Sequence, residues 1–204
     1  RVYSRKNQIT IASTISTTVP ISPPMAEDIA LIPRACVPSP RFINAWPSTV
    51  LIAPDGGIRA RYDKLHMFDV TVSARESYRE SAAFRPGGRA VLADGPMPTG
   101  MTICYDLRFP QLFRALAKAG AGVLTVPAAF NDTTGAAHWE VLLRARAIET
   151  GCYVLAPAQC GLHAAHFDPD RAPRRSHGHS LAVDPWGRVL ADGGSEPGVT
   201  FVEL

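Results

Sequence analysis

Two stretches of the chain repeat their apolar residues with the spacing of an α-helix. The first is Pro110–Ala119, whose shared apolar face consists of Leu112, Phe113, Leu116 and Ala117. The second is Ala136–Thr150, whose apolar stripe consists of Trp139, Leu142, Leu143 and Ala147. Gly120 and Gly151 follow these stretches, where glycine commonly ends a helix. The pattern therefore predicts two amphipathic helices.

Short apolar runs between clusters of turn residues predict β-strands. The runs are Thr49–Ala53, Ile58–Tyr62, Ala90–Leu92, Gly100–Cys104, Gly122–Pro127, Tyr153–Pro157, His179–Val183, Arg188–Ala191 and Val199–Val202. Turn sequences at 54–57 and 184–187 join two pairs of these runs as hairpins. The polar segments 71–88 and 161–175 are predicted as loops. Strands that alternate with helices and hairpins indicate an α/β fold with a mixed sheet.

The chain changes character near residue 41. Residues 1–40 hold six prolines and the run ITIASTISTTVPISPP, which has no helical period. We predict one strand at Gln8–Ile15 and otherwise a weakly ordered, atypical leader over residues 1–40. A single folded domain is expected over residues 41–204, because this length suffices for one sizeable core.

Composition excludes several classes of protein. The net charge is only +3, and no basic cluster is longer than the pair Arg174–Arg175, so nucleic acid is not expected as a partner. No apolar run approaches the roughly 20 residues of a membrane span, and residues 1–40 lack the apolar core of a secretory signal. The four cysteines are irregularly spaced and match no zinc pattern, so we expect reduced thiols and a cytoplasmic location.

Cys104 is the first candidate for chemistry. It follows an apolar run and precedes the helix that opens at Pro110. Backbone N–H groups and the positive helix end converge at such a position, which lowers the pKa of a thiol and makes it nucleophilic. We therefore expect alkylation well below the pH that an ordinary thiol needs. A buried, inert thiol is the alternative.

Lys64 is the second candidate, at the end of a hairpin strand in the segment YDKLH. A lysine beside a thiolate lowers the thiol pKa and stabilises an oxyanion. The alternative is a solvated surface lysine, which most lysines are. A Cys–His scheme stays open as well, since His66, His138 and His179 each offer a partner for Cys104.

Four motifs in this order resemble the carbon–nitrogen hydrolase family, the nitrilase superfamily. They are RYDKLHMFD, TICYDLRFP, PAAFNDTTGAAHWEVLLRARAIET and GHSLAVDPWG, all within residues 41–204. The resemblance is greatest to the deaminated glutathione amidase branch, and the ω-amidase branch is its near neighbour. It implies the family's α–β–β–α sandwich, here incomplete at the N-terminus, and a homodimer.

The resemblance also implies roles for individual residues. Cys104 would be the nucleophile, Lys64 would stabilise the oxyanion, and Glu80 would be a second, substrate-orienting glutamate. Tyr105 would donate its backbone N–H to the oxyanion, while Phe130 and Asn131 would lie near the pocket. The implied reaction is hydrolysis of a linear amide through a thioester, which releases ammonia and needs no metal or organic cofactor.

The substrate is expected to be an anionic amide, because the resembled branch acts on amides of carboxylate-bearing compounds. An arginine would pair with that carboxylate, and the candidates near the motifs are Arg108, Arg144 and Arg146.

The family's general-base glutamate normally lies far upstream of the lysine, in a strand–Pro–Glu element. Glu27 is the only glutamate before residue 41, and its context PPMAED does not match that element. The chain thus resembles the last two-thirds of a family member. We expect amidase activity to be absent or severely reduced, and an impaired family member that only binds a ligand or oligomerises is the alternative function.

Overall fold

A mixed seven-stranded sheet forms the centre of the described part of the chain. The structure is a computed structural model that describes residues 8–11, 28–29, 46–73, 76–95, 97–163 and 174–204. Its strands are β1 (Gln8–Ile11), β2 (Asp28–Ile29), β3 (Ser48–Ile52), β4 (Ile58–Asp63), β5 (Asp69–Ser73), β6 (Glu76–Arg79), β7 (Ala90–Ala93), β8 (Thr99–Met101), β9 (Val123–Thr125), β10 (Tyr153–Ala156), β11 (Cys160–His163), β12 (Arg174–His177), β13 (Leu181–Val183), β14 (Val189–Asp192) and β15 (Thr200–Glu203).

The central sheet has the strand order β14-β13-β10-β9-β8-β7-β2. Strands β8, β9 and β10 run parallel, and the remaining neighbours pair antiparallel. Because parallel strands need a crossover connection, each of these two steps contains one of the helices. The predicted α/β class with a mixed sheet is therefore confirmed.

Both predicted helices pack on one face of this sheet. Helix α1 (Pro110–Lys118) buries Leu112, Phe113 and Leu116, and helix α2 (Asp132–Thr150) buries Trp139, Leu143 and Ala147. These side chains join residues of β9, β10 and β13 in one core. Helix α2 starts four residues earlier than predicted, because the Asn131 side chain accepts the Thr134 N–H and caps the helix. Gly151 ends it in the left-handed conformation, as expected.

The other face of the sheet is covered by β-structure. The hairpin β3–β4 packs Ala60 and Tyr62 of β4 against Val91 of β7, while Val202 of β15 packs against Leu155 of β10. Successive sheet residues thus point alternately to the helices and to these strands. Strand β1 pairs with β15, which confirms the predicted strand over residues 8–11; residues 12–15 lie outside the described ranges.

Two predicted loops contain strands. Within 71–88 lie the end of the hairpin β5–β6 and a 3₁₀ turn at Glu80–Ala82, and β11 and β12 pair where 161–175 was expected to be irregular. Both hairpins are two-stranded and partly exposed, so their strands lack the apolar alternation that a buried face imposes. The strand predicted at Gly100–Cys104 ends at Met101, and Cys104 instead begins a 3₁₀ turn that runs to Arg108.

Candidate active site

Cys104 lies at the carboxyl edge of the parallel strands. It follows β8, and its N–H donates to the carbonyl of Pro127, which follows β9, at 2.9 Å. Its φ of +47° is in the left-handed region, where a side chain is uncommon. Such a conformation costs about 1–3 kcal/mol and is found often at functional sites. The chain after β8 therefore forms a strained turn that begins at Cys104.

Lys64 is buried and forms an ion pair with Glu80. The Lys64 side chain is 3% exposed, and its Nζ lies 2.5 Å from Oε2 of Glu80. The same oxygen accepts the backbone N–H of Phe68 at 2.6 Å. The sequence alternative of a solvated lysine is therefore wrong. Glu80, in a segment predicted as a loop, begins the 3₁₀ turn after β6.

The backbone of Lys64 is held on both sides. Its N–H donates to the Pro47 carbonyl at 2.9 Å, and its carbonyl accepts the Gly87 N–H at 2.7 Å. A Cβ at Gly87 would lie 2.1 Å from the carbonyl oxygen of Asp63, so only glycine fits there. The lysine is thus fixed by main-chain contacts and does not depend on its ion pair alone.

Both Lys64 and Glu80 act electrostatically on the thiol of Cys104. Burial has the largest effect and raises the pKa of the Cys104 thiol above its ordinary value. The Lys64 ammonium, a hydrogen bond from the Ala129 N–H and the Arg174 guanidinium oppose this rise, while the Glu80 carboxylate adds to it. The expectation of a lowered thiol pKa is therefore wrong, because desolvation outweighs the cations.

Asp106 connects the lysine segment to the cysteine turn. Its buried carboxylate accepts the Tyr62 hydroxyl at 2.7 Å and the Ile103 N–H at 2.9 Å. It also accepts the His66 N–H at 3.1 Å and contacts the His66 Nδ1 at 2.7 Å. With burial and the carboxylate together, the pKa of Tyr62 lies far above its usual range. One carboxylate thus ties two segments 40 residues apart in sequence.

The three candidate histidines have other partners. His66 contacts Asp106 and stacks on Phe109, with ring centres 3.6 Å apart. His138 lies 3.2 Å from a guanidinium nitrogen of Arg108, and His179 pairs with Asp192 at 3.0 Å. The groups with the largest effects on the pKa of Cys104 include no histidine. This arrangement favours the lysine scheme over the Cys–His alternative.

The other predicted site residues lie around the cysteine turn. The ring of Tyr105 packs edge-on against Phe68 and Phe109. Phe130 is buried against Trp139, and Asn131 donates to the Tyr78 hydroxyl at 3.0 Å. Besides facing Tyr78, Asn131 caps helix α2, so it has a structural role as well.

Two of the three arginines expected to bind a substrate carboxylate are committed elsewhere. Arg146 is buried and donates twice to the Leu107 carbonyl, at 3.0 and 2.8 Å. Arg144 donates to the Gly187 carbonyl at 2.7 Å and pairs with Glu140 on the surface of helix α2. Arg108 alone lies beside the site, with its guanidinium 5.5 Å from the centre of the Phe130 ring.

Sequence reasoning missed three residues of this site. Asp106 stands in TICYDLRFP, where its position two residues after the cysteine was the available signal. Arg174 and Tyr78 carried no signal, since both come from segments predicted as loops. Arg174 donates to the Ala129 carbonyl, and its guanidinium carbon lies 5.7 Å from the centre of the Tyr78 ring.

Cys152 contributes to the core. It is buried, and its Sγ contacts the Ala121 carbonyl at 3.1 Å. Within the described ranges, no group of three or more His, Cys, Asp or Glu residues is arranged to hold a metal ion. Helices of the length and apolar character that a membrane crossing requires are absent from the same ranges.

Glu27 and Cys36 lie outside the described residues.

Comparison with known proteins places this site in a family. The model of the carbon-nitrogen hydrolase family matches residues 24–204. Deaminated glutathione amidase from Synechocystis sp. is 47% identical over 164 residues, which cover 79% of this chain and 58% of that protein. The chain thus spans somewhat more than half the length of this curated relative.

Solved structures agree with this assignment. The crystal structure of the Caenorhabditis elegans NitFhit protein superimposes with a TM-score of 0.70 at 44% identity, covering 79% of this chain and 38% of that chain. A glutamate-to-leucine variant of an amidase from Nesterenkonia sp. superimposes with a TM-score of 0.62 at 30% identity, covering 77% and 54%. That structure shows the acetamide moiety of fluoroacetamide covalently added at the active-site cysteine. The chain belongs to the carbon–nitrogen hydrolase family and has the nitrilase-superfamily fold.

Proposed function

We propose that this chain carries the cysteine site of an amidase that hydrolyses a linear amide C–N bond through a thioester. The observation that carries the proposal is the buried Lys64–Glu80 pair, whose two charges both act on the strained thiol of Cys104. A buried, paired lysine whose charge acts on a buried thiol forms a cluster of ionisable groups, and perturbed groups in such clusters often mark functional sites.

In the first half of the reaction, Cys104 attacks the amide carbon. The Sγ–C bond forms while the thiol proton passes to a carboxylate base, because burial keeps this thiol protonated at neutral pH. The C–N bond then breaks, and the nitrogen takes a proton and leaves as ammonia. The product of this half is a thioester on Cys104.

The oxyanion of the tetrahedral intermediate needs donors on the side opposite the base. Lys64 supplies a buried cation that is already oriented by Glu80, so little reorganisation is required when charge develops. The backbone N–H of Tyr105, in the first turn of the 3₁₀ segment, is the second donor that we assign. Phe130 and Asn131 would line the substrate pocket beside it.

In the second half, a water molecule attacks the thioester carbon. The water gives one proton to the base, the C–S bond breaks, and the sulfur regains a proton as the carboxylic acid leaves. Glu80 has one carboxylate oxygen committed to Lys64 and Phe68, so we assign it to orienting the lysine and the substrate. The general base of the family is a different, upstream glutamate.

The substrate class that we propose is drawn from the relatives. The Synechocystis relative is named deaminated glutathione amidase, so an amide of that type, or an ω-amide of a dicarboxylic acid, is the substrate proposed for this chain. The alternative is a family member that forms the thioester or binds the amide without turnover. The raised pKa of Cys104 favours this alternative if no base reaches the thiol.

Mass spectrometry with an ammonia assay tests the proposal. The full chain is incubated with the four-carbon amides succinamate and butyramide, beside a Cys104→Ser variant as control. Ammonia release that depends on Cys104 would support an amidase. An acyl adduct on Cys104 without continued ammonia release would instead identify the impaired family member. If the chain is folded and produces no ammonia and no adduct, that result would contradict cysteine catalysis.

We also propose that the chain forms a homodimer through helix α2. Val141 and Ile148 on this helix are 63% and 58% exposed, and Trp186 in the neighbouring turn is 90% exposed. Large exposed apolar side chains on neighbouring elements are typical of an interface. Sedimentation analysis of an Ile148→Asp variant tests this, since a dimer through this surface would dissociate. A cytoplasmic location stays a prediction from the cysteine content.

A further inference from the structure

A single residue, Ala129, connects Arg174 to the thiol of Cys104 through hydrogen bonds. The N–H of Ala129 forms a hydrogen bond with Cys104, and the carbonyl of Ala129 accepts a hydrogen bond from the Arg174 guanidinium. The guanidinium also acts electrostatically on the thiol. A cation is therefore fixed at the edge of the site by the same residue that contacts the sulfur.

The surroundings of Arg174 leave its charge available. The residue is exposed and, among the residues that the structure describes, has no carboxylate partner. Its neighbour Arg175, on the same strand β12, does pair with a carboxylate, that of Asp132 at 3.5 Å. The guanidinium of Arg174 lies over the Tyr78 ring, which restricts its plane. A planar, oriented guanidinium whose remaining N–H donors have no acceptor among the described residues suits bidentate binding of a carboxylate.

The other arginines considered for this role are less suitable. Arg144 and Arg146 use their donors on backbone carbonyls and on glutamates of their own helix. Arg108 contacts His138 and covers Phe130, on the helix side of the cysteine turn. Of these four arginines, Arg174 alone combines a link to the cysteine with an exposed charge.

We propose that Arg174 binds the carboxylate of the substrate and thereby makes the site select anionic amides over neutral ones. The inference rests on the amidase proposed above and names its specificity-determining residue. An anion held by the guanidinium would extend over the Tyr78 ring, with its amide end toward Cys104. A neutral amide of the same length would lack this contact and bind less well.

Alkylation of Cys104 tests the proposal without requiring turnover. The rates of reaction with iodoacetate and with iodoacetamide are measured by peptide mass spectrometry on the full chain, which separates Cys104 from the other cysteines. The ratio of the two rates cancels the thiolate fraction, so a general loss of reactivity does not change it. Arg174→Gln should lower the iodoacetate-to-iodoacetamide ratio by about threefold or more.

Two matched variants complete the alkylation test. Arg175→Gln removes the same charge one position away and should leave the ratio unchanged, whereas Arg174→Lys should retain part of it. An unchanged ratio in Arg174→Gln, or an equal fall in Arg175→Gln, would overturn the proposal. A fall in both rates at constant ratio would also overturn it, because Arg174 would then only position Ala129.

Hydrolysis separates this proposal from the amidase itself. If the chain releases ammonia, Arg174→Gln should lower kcat/KM for succinamate about tenfold or more relative to butyramide. Equal effects on the two amides would refute the role of Arg174 and leave the amidase intact. If no ammonia is released from either amide, the amidase fails while the alkylation ratio still decides whether Arg174 selects anions.

Discussion

The ion pairs Lys64–Glu80 and Arg144–Glu140 contain similar charges in very different settings. In the first, the two side chains are 3% and 20% exposed and their charged atoms lie 2.5 Å apart. In the second, they are 48% and 57% exposed at 3.1 Å, four residues apart on helix α2. The first joins a strand end to a 3₁₀ turn 16 residues later, whereas the second stays within one helix.

The difference between the two pairs shows how burial decides what a charge can do. An exposed pair on a helix contributes about 0.3–0.5 kcal/mol and is screened by salt. A buried pair loses its hydration, so its net contribution to the stability of the fold is small. Removing one partner nevertheless destabilises the fold strongly, because the other charge stays buried without a partner. In return, its field reaches a neighbouring group with little screening, as the effect of both charges on Cys104 illustrates.

The largest expected contrast follows from removing the cation of each pair. Lys64→Met should slow acylation of Cys104 about 10²–10³-fold, because an oxyanion donor is lost. Arg144→Met removes a cation of similar size from the helix surface and should leave the rate within about twofold. Single-turnover ammonia release from succinamate measures both, with circular dichroism to confirm folding. Similar rates for the two variants would contradict the role of Lys64.

The sequence predicted the two helices and most strands of the central sheet, since buried faces impose a period that can be recognised. It failed at β5–β6 and β11–β12, where exposed hairpins have no such period. The residues that those hairpins bring to the site, Tyr78 and Arg174, were missed for the same reason. Lys64 was a candidate from its place at the end of a hairpin strand, but a solvated lysine stayed open, because no pattern of single residues reveals that a lysine will be buried. The role of Glu80 came from the family resemblance.

Asp106 extends the comparison from a charge pair to a buried network. Asp106→Asn keeps the size of the side chain but turns an amide N–H₂ toward donors that need an acceptor. We expect the free energy of unfolding to fall by about 2–4 kcal/mol. Urea denaturation measures the change. Asp55→Asn is the control, because Asp55 lies in an exposed turn and, among the described residues, accepts the Gly57 N–H alone. Equal losses at both positions would contradict a special role of the hydrogen bonds to Asp106.

The pH dependence of alkylation tests whether both charges of the buried pair reach the thiol. Lys64 lowers and Glu80 raises the pKa of Cys104, while burial keeps that pKa above its ordinary value overall. Lys64→Met should therefore move the midpoint of the rate profile with iodoacetamide to higher pH. Glu80→Gln should move it to lower pH. If the two midpoints shift in the same direction, or if neither shifts, the opposite effects of Lys64 and Glu80 on the pKa of Cys104 would be contradicted.

The raised pKa of the Cys104 thiol also makes the free energy of unfolding depend on pH. Because the thiol pKa is higher in the folded chain than in the unfolded chain, its contribution to stability is present below the ordinary thiol pKa. That contribution is lost as the pH rises through the ordinary value toward the folded one. Cys104→Ser should therefore reduce the decline in stability at alkaline pH, and urea denaturation at pH 7 and pH 9.5 measures this difference.

The smallest expected effect concerns the exposed pair. Glu140→Gln removes its carboxylate, and the free energy of unfolding should fall by no more than about 0.5 kcal/mol, because both side chains are half exposed. The loss should shrink further in 0.5 M salt, which screens exposed charges. Glu80→Gln in the same urea experiments should cost more and respond less to salt, because Lys64 would remain buried without its partner. A salt response of equal size in both variants would remove the distinction between the two pairs.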